Sequence, residues 1–444
     1  MKKPLLFFIA VLLITRCFSQ DIAKLEELMS AYAGMYKFNG SVLVAHHGKI
    51  LMDQGYGLLN ADDKTPTDKN SIFQIGSITK QFTATVILKL QEEKKLKVTD
   101  KLSKYFPDYP KGDSITIEQL LTHTSGIYSY TSDGAFMANE VAKPSDRKKM
   151  MALFKDKPLQ FSPGTKWEYS NSAYSLLGYI VEDVAKMPYE QAVRKYIFTP
   201  VHMDHSGFDF THLTSNNKAT GYFRLTNEKN EPAPIVDSSV SFSAGAIYST
   251  TGDLYQWYQS LQTNKIIKES SKEIAQTPVK NKYGYGWAID TIAGKKTVGH
   301  GGGIHGFNTN MVSVPEDNTC VILLANAANP NLDKITKDIF AILYNLPYEV
   351  PKEKTAISVS EEVLQQYIGV YELSPQLIVT ISLEGGKLIG KPEGQEAIQL
   401  HAEKEDQFFL KEIDAQLNFN RNEKKEIISM TLLQNGRAMT GKKR

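Results

Sequence analysis

The sequence predicts a mixed α/β (α+β) fold: an antiparallel sheet flanked by helices with a helical lobe, followed by a small C-terminal all-β, barrel-like domain. Three observations lead there. Strand-like runs open and close the region up to residue 346 while helical periodicity fills its middle, the order expected when both ends of a chain build one antiparallel sheet. A break of prolines and charges at residues 347–354 then interrupts the pattern. Beyond it come short alternating segments joined by glycine-containing turns, the habit of a small barrel.

The elements follow in order. Residues 1–19 carry Lys2 and Lys3, an apolar run over 4–14, and Cys17-Phe18-Ser19 ahead of Asp21. This is the three-part pattern of an export signal, too short and wrongly flanked for a lasting membrane span. Cleavage after Ser19 fits small residues at the last and third-last positions. Lipid anchoring at Cys17 is the second choice, because the bulky, charged Arg16 precedes it. The expected mature chain is therefore exported, periplasmic or secreted.

Removing Lys2, Lys3 and Arg16 from 51 basic residues leaves 48 against 49 acidic ones, a mature charge of about −1. Such a balance, with charges interspersed, provides no basic face for nucleic acid. Cys320 becomes the sole cysteine, so no intramolecular disulfide can form and packing alone must hold the core. With 41% hydrophobic residues in 444, the material for that core is ample.

A helix is predicted over 22–36 and a hairpin from 41–45 and 49–55, joined by His46-His47-Gly48. A helix starting at Ser77, a helical segment at 117–121, the breaker Ser162-Pro163-Gly164 and a helix over 173–186 come next. A helix over 249–261, capped by Thr250 or Thr251, precedes strands at 285–290, 296–299, 307–314 and 319–325 and a closing amphipathic helix at 332–346. These give a first domain at 20–346 and a linker at 347–354. In the terminal domain, 355–444, a helix or strand lead-in at 363–372 precedes strands at 377–383, 387–390, 398–402, 408–411, 417–420 and 427–433. Glu384-Gly385-Gly386-Lys387 and Gln434-Asn435-Gly436-Arg437 supply hairpin chemistry.

The chemistry centres on Ser77-Ile78-Thr79-Lys80. Positions i and i+3 share a helix face, which brings the lysine amine to the serine hydroxyl. A serine needs such a base, and a lysine serves only where burial makes its neutral form accessible. The apolar run through Phe82, Val86, Ile87, Leu88 and Leu90 supplies the burial. Two further signals point to the same cleft: Tyr169-Ser170-Asn171, on a loop poised before a helix, and His300-Gly301-Gly302-Gly303, whose glycines permit close approach of a ligand to backbone.

Together these resemble the three ordered motifs of the serine penicillin-recognising family, which includes class C β-lactamases, D-alanyl-D-alanine carboxypeptidases, D-aminopeptidases and related esterases. The segments TIEQLLTHTSGI (116–127), FSPGTKWEYSNSAYSLLG (161–178), SAGAIYSTTGDLYQW (243–257) and YGYGW (283–287) are similar to family landmarks in the right order. The resemblance implies Ser77 as nucleophile, Lys80 and Tyr169 sharing acid–base work, and Asn171 holding Lys80 and the substrate amide. It also implies an oxyanion hole from the backbone N–H groups of Ser77 and Gly303. The terminal domain resembles the lipocalin-like domain of some of these hydrolases, on short pieces such as Tyr367-Ile368-Gly369-Val370-Tyr371.

One position departs from the pattern. β-Lactamases usually carry lysine where this chain has His300, and histidine, with a pKa of ~6.5, is mostly neutral at pH 7 and a switchable donor. The expectation is therefore an exported serine hydrolase of a small peptide, amide or ester, a D-amino-acid peptidase, carboxypeptidase or esterase. The alternatives are a penicillin- or cell-wall-peptide-binding protein with little turnover, and a true β-lactamase. No cofactor or metal is expected: His202, His205 and His212 read as loop residues, His305 as a turn or surface-packing residue, and the Thr122-His123-Thr124-Ser125-Gly126 segment as a structural turn. Gly301-x-Gly303-x-x-Gly306 matches a dinucleotide fingerprint but precedes a strand rather than a helix, which excludes that reading.

Overall fold

Period-two alternation sets the central sheet. In β1 (Gly40–His46) Val42 and Val44 enter one hydrophobic cluster while Leu43 and Ala45 enter the other, so both faces of the strand are buried. The computed structural model describes residues 4–227, 229–327, 331–375, 377–410, 415–434 and 437–444, with backbone only for 4–18 and for Arg437. The chain divides into two compact units, Met1–Val350 and Pro351–Arg444.

In the first unit, α1 (Pro4–Gly34), β1 and β2 (Lys49–Tyr56) come from the start of the chain. Helices α2 (Thr79–Glu92), α3 (Asn171–Ala185), α4 (Ser238–Gly245) and α5 (Thr251–Gln262) fill the middle. Strands β3 (Ala288–Ile292), β4 (Lys295–Ile304), β5 (Phe307–Val314) and β6 (Thr319–Ala325), then α6 (Leu332–Leu343), complete it. The sheet runs β2-β1-β6-β5-β4-β3, antiparallel throughout. Early and late strands meet at β1 and β6, where Val42 faces Leu323 and Val44 faces Val321. This is the predicted antiparallel sheet with helices, built from both ends of the chain.

On one face α1 and α6 supply Leu25, Leu28, Ile335 and Ile339 against Val42 and Leu323. On the other, α2 is buried on nearly every side: Phe82 stacks on Trp257 of α5 at 4.7 Å, and the indole N–H donates to Gln81 at 3.0 Å. Cys320 lies buried on this same face.

Several boundaries differ from the sequence expectation; the strand expected at 285–290, for one, is Ala288–Ile292. The helix expected at 22–36 is the end of α1, which starts at Pro4; of the leader assigned to 1–19, residues 1–3 lie outside the description and 4–18 are given by backbone alone. The strand expected to stop at Gly299 continues through the glycines to Ile304, because pairing with β5, Val298 with Ser313 through Ile304 with Phe307, overrides their weak strand preference. The closing helix ends at Leu343 rather than 346. Among the described residues no helix is long and apolar enough to cross a membrane.

The second unit is a closed eight-strand barrel with neighbours in chain order, from Gly369–Ser374 to Arg437–Lys443. Its core includes Tyr371, Ile381, Leu388 and Met430, with Tyr367 stacked on Phe419 at 4.5 Å. The lead-in at 363–372 resolves into helix Glu361–Leu364, a tight turn Gln365–Tyr367 and the first barrel strand. Of the turn expected at 434–437, Asn435 and Gly436 lie outside the described residues.

Candidate active site

Ser77 sits in a tight turn, Gly76–Ile78, that runs directly into α2, and Lys80 lies one turn further on. Lys80 is wholly buried (0% exposed). Its Nζ is 3.0 Å from Ser77 Oγ, 2.8 Å from Asn171 Oδ1 and 2.8 Å from the Ala244 carbonyl oxygen. Burial pushes its pKa well below the ordinary lysine value, because no carboxylate offsets the loss of hydration. A neutral amine has two N–H groups and one lone pair. Asn171 Oδ1 and Ala244 O can only accept, so they take the two N–H groups and the lone pair is left for the Ser77 hydroxyl.

Tyr169 and Asn171 arrive together because Ser170 caps α3, its Oγ accepting the Ala173 N–H at 3.2 Å. The Tyr169 hydroxyl donates to Ser77 Oγ at 2.7 Å. Burial raises its pKa above the ordinary phenol value, so Tyr169 remains a proton-bearing donor at neutral pH. The orientation of Asn171 is set from its other end: Nδ2 donates to Thr131 Oγ1 at 3.1 Å, and its backbone N–H donates to Ser129 Oγ at 3.0 Å.

Two supports escape a reading of the sequence. His123, expected to be part of a structural turn, places its ring 4.2 Å from that of Tyr169, and its Nδ1 accepts the Ser170 N–H at 3.1 Å. It thus packs the phenol and its loop from behind, and burial holds it neutral. The Ala244 carbonyl follows a kink at Phe242 (φ 37°, ψ −133°), a conformation unusual for a non-glycine residue and held by stacking on Tyr179 at 5.1 Å. A carbonyl has no signature in sequence; only the SAGAIYST landmark marked the place.

The glycine strand reaches the serine because Gly76 lacks a side chain: a Cβ there would stand 3.0 Å from the Gly303 nitrogen, and its φ is +52°. Gly302 is tighter still. A Cβ on it would lie 2.0 Å from the Ile75 carbonyl oxygen, one residue before Gly76, whereas one on Gly301 would meet nothing nearer than 3.7 Å. Gly302→Ala is therefore expected to cost about 2 kcal/mol of stability and to lower kcat/KM about 100-fold by moving the Ser77 turn. Gly301→Ala should change either by little; thermal melting and ester hydrolysis compare the two.

His300 differs from the expected switchable donor. Its Nδ1 lies 2.5 Å from the Gly301 carbonyl, which can only accept, so this nitrogen carries the proton. Its Nε2 accepts from the Tyr283 hydroxyl at 2.8 Å. Burial, and secondarily Lys80 whenever it carries its proton, lowers its pKa to about 4. His300 is thus neutral at pH 7 with both nitrogens engaged. Beside Ser77 opens a cavity of about 350 Å³.

His202, His205 and His212 do not converge, and no group of three or more potential metal ligands occurs among the described residues. His212 instead faces Asp209 at 3.0 Å on the surface.

A family model described as Beta-lactamase matches residues 23–346, and one described as a domain of unknown function matches residues 353–443. The chain is similar to penicillin-binding protein 4* of Bacillus subtilis (strain 168), with 29% identity over 425 residues, 90% of this chain and 94% of that protein. It is also similar to the octameric penicillin-binding protein homologue from Pyrococcus abyssi, with TM-score 0.67, 25% identity, and coverage of 95% of this chain and 100% of that one. The D-stereospecific amidohydrolase from Streptomyces sp. matches with TM-score 0.60 and 26% identity, over 68% of this chain and 93% of its own.

Proposed function

The chain belongs to the β-lactamase family, and from that premise we propose that it is a serine hydrolase acting through an acyl-enzyme on a peptide, amide or ester. One observation carries the reading: the Ser77 hydroxyl lies between the buried Lys80 amine at 3.0 Å and the Tyr169 phenol at 2.7 Å. Ser77 Oγ attacks the carbonyl carbon while its proton passes to Lys80. The backbone N–H groups of Ser77 and Gly303 receive the oxyanion. The carbon's bond to the leaving oxygen or nitrogen then breaks, the leaving atom takes the Tyr169 proton, and Lys80 returns a proton to Tyr169. Water repeats the sequence and releases the acid. Asn171 holds Lys80 and has a second N–H for the substrate, and Gly301 and Gly302 carry the strand that presents Gly303. The leader pattern of residues 1–19 supports export.

A neutral, fully engaged His300 favours an amidase, D-amino-acid peptidase or esterase over a β-lactamase. The likeness to penicillin-binding proteins supports a second reading, acylation with little turnover. A fluorophosphonate should add one adduct to the Ser77 peptide, measured by mass spectrometry, and folded Ser77→Ala should take up none. Equal labelling of the variant would move the nucleophile elsewhere and sink the proposal. Steady ester turnover supports the hydrolase, whereas one burst of product supports the second reading.

A further inference from the structure

The cavity beside Ser77 is walled by Met137, Val141, Phe223, Val236, Val240 and Phe307, and none of the described residues lining it is lysine, arginine, aspartate or glutamate. Its polar side chains are largely committed within the protein. The Tyr130 hydroxyl donates to the Val240 carbonyl at 3.1 Å, the Ser241 hydroxyl to the Asp237 carbonyl at 3.3 Å, and Asn171 is held by Lys80 and Thr131. His305, in the turn after Gly303, keeps a buried Nδ1 without a partner among the described residues. Burial lowers its pKa below the ordinary histidine value, so it offers a hydrogen bond and no charge at neutral pH. Two basic groups of the catalytic centre are also closed to an anion. Lys80 has its N–H groups on Asn171 and Ala244, and His300 has both nitrogens engaged.

A carboxylate entering this cavity would lose its hydration and meet no counter-ion, whereas apolar surface gains by leaving water. We propose that the substrate group filling the cavity is uncharged and apolar, so the enzyme selects neutral esters or amides and rejects a carboxylate at that position. This rests on the serine-hydrolase reading and names its substrate class.

Two matched pairs test it: 4-nitrophenyl pentanoate against the 4-nitrophenyl monoester of glutaric acid, and 3-(methoxycarbonyl)phenyl acetate against 3-carboxyphenyl acetate. The first pair places the carboxylate on the acyl side, the second on the leaving side. The expected result is a penalty of about 100-fold in kcat/KM in one pair, the side that the cavity receives. Phe223→Lys places a cation on the wall at a position already 39% exposed, so folding should survive, and it should shrink that penalty at least tenfold. The inference is overturned if neither carboxylate is penalised, or if the penalty does not respond to the new cation. If none of the four esters turns over and a fluorophosphonate leaves Ser77 unlabelled, the hydrolase reading itself fails and this inference falls with it. Labelling together with turnover keeps the two questions separate.

Discussion

Lys80→Met is expected to lower kcat/KM about 10⁴-fold while leaving the protein folded. Methionine is unbranched and close to lysine in length, so it can follow the same path through the core. What it lacks is the lone pair 3.0 Å from Ser77 Oγ and the two N–H groups that occupy Asn171 Oδ1 and Ala244 O. Two acceptors left without a donor cost stability, and removal of a buried amine offsets part of that cost. Activity within tenfold of the parent would remove Lys80 from the role of base.

The same variant reports the charge on Lys80. Burial lowers the amine pKa well below 10.5 in the folded state, while the unfolded chain titrates near the ordinary value of ~10.4. Between those two points the unfolded state binds the extra proton. Stability of the parent therefore rises with pH across that window, by up to about 1.4 kcal/mol per pH unit from this group. Lys80→Met has no such contribution, so the difference in stability, variant minus parent, should be most favourable to the variant at pH 7 and shrink toward pH 10. Urea unfolding of both proteins at the two values measures it. A difference that stays constant means a lysine that keeps its proton, and then Ser77 has no base.

Ser77 and Lys80 are legible in the sequence because helical spacing is a local rule and the apolar run around them foretells burial. Tyr169 and Asn171 are legible because they stand on a loop just ahead of a helical segment and fall in the order of the family's motifs. The sheet of both chain ends follows from where strand periodicity occurs. What sequence withholds is the set of partners brought by long-range packing. Ala244 acts through its carbonyl, which any residue would possess. His300 is a switchable donor in isolation, but strand pairing through the glycines and the approach of Tyr283 fix its tautomer and silence it. His123 reads as a turn residue because nothing local predicts that its ring will lie against Tyr169. The cavity beside Ser77 is likewise assembled from residues between Gly76 and Asn308, so its lack of charge has no local signature.

Tyr169→Phe is expected to separate the two halves of the acyl-transfer step. The phenol donates to Ser77 Oγ at 2.7 Å, and burial raises its pKa, so it begins as an acid rather than a phenolate. An acid is needed where the leaving group is a poor one. An alkoxide or amide anion cannot depart unprotonated at neutral pH, whereas 4-nitrophenolate can. Loss of the hydroxyl should therefore lower kcat/KM about 10³-fold for an amide or alkyl ester and by only about tenfold for the matched 4-nitrophenyl ester, the smaller loss being the hydrogen bond to Ser77. Because His123 packs against the ring and phenylalanine preserves that contact, the fold and the position of Ser77 should be retained. Steady-state kinetics on the two substrates measure the ratio of losses. A large ratio assigns Tyr169 to departure of the leaving group and Lys80 to attack. Equal losses would place the phenol at the attack step instead, with Lys80 unable to activate Ser77 without it.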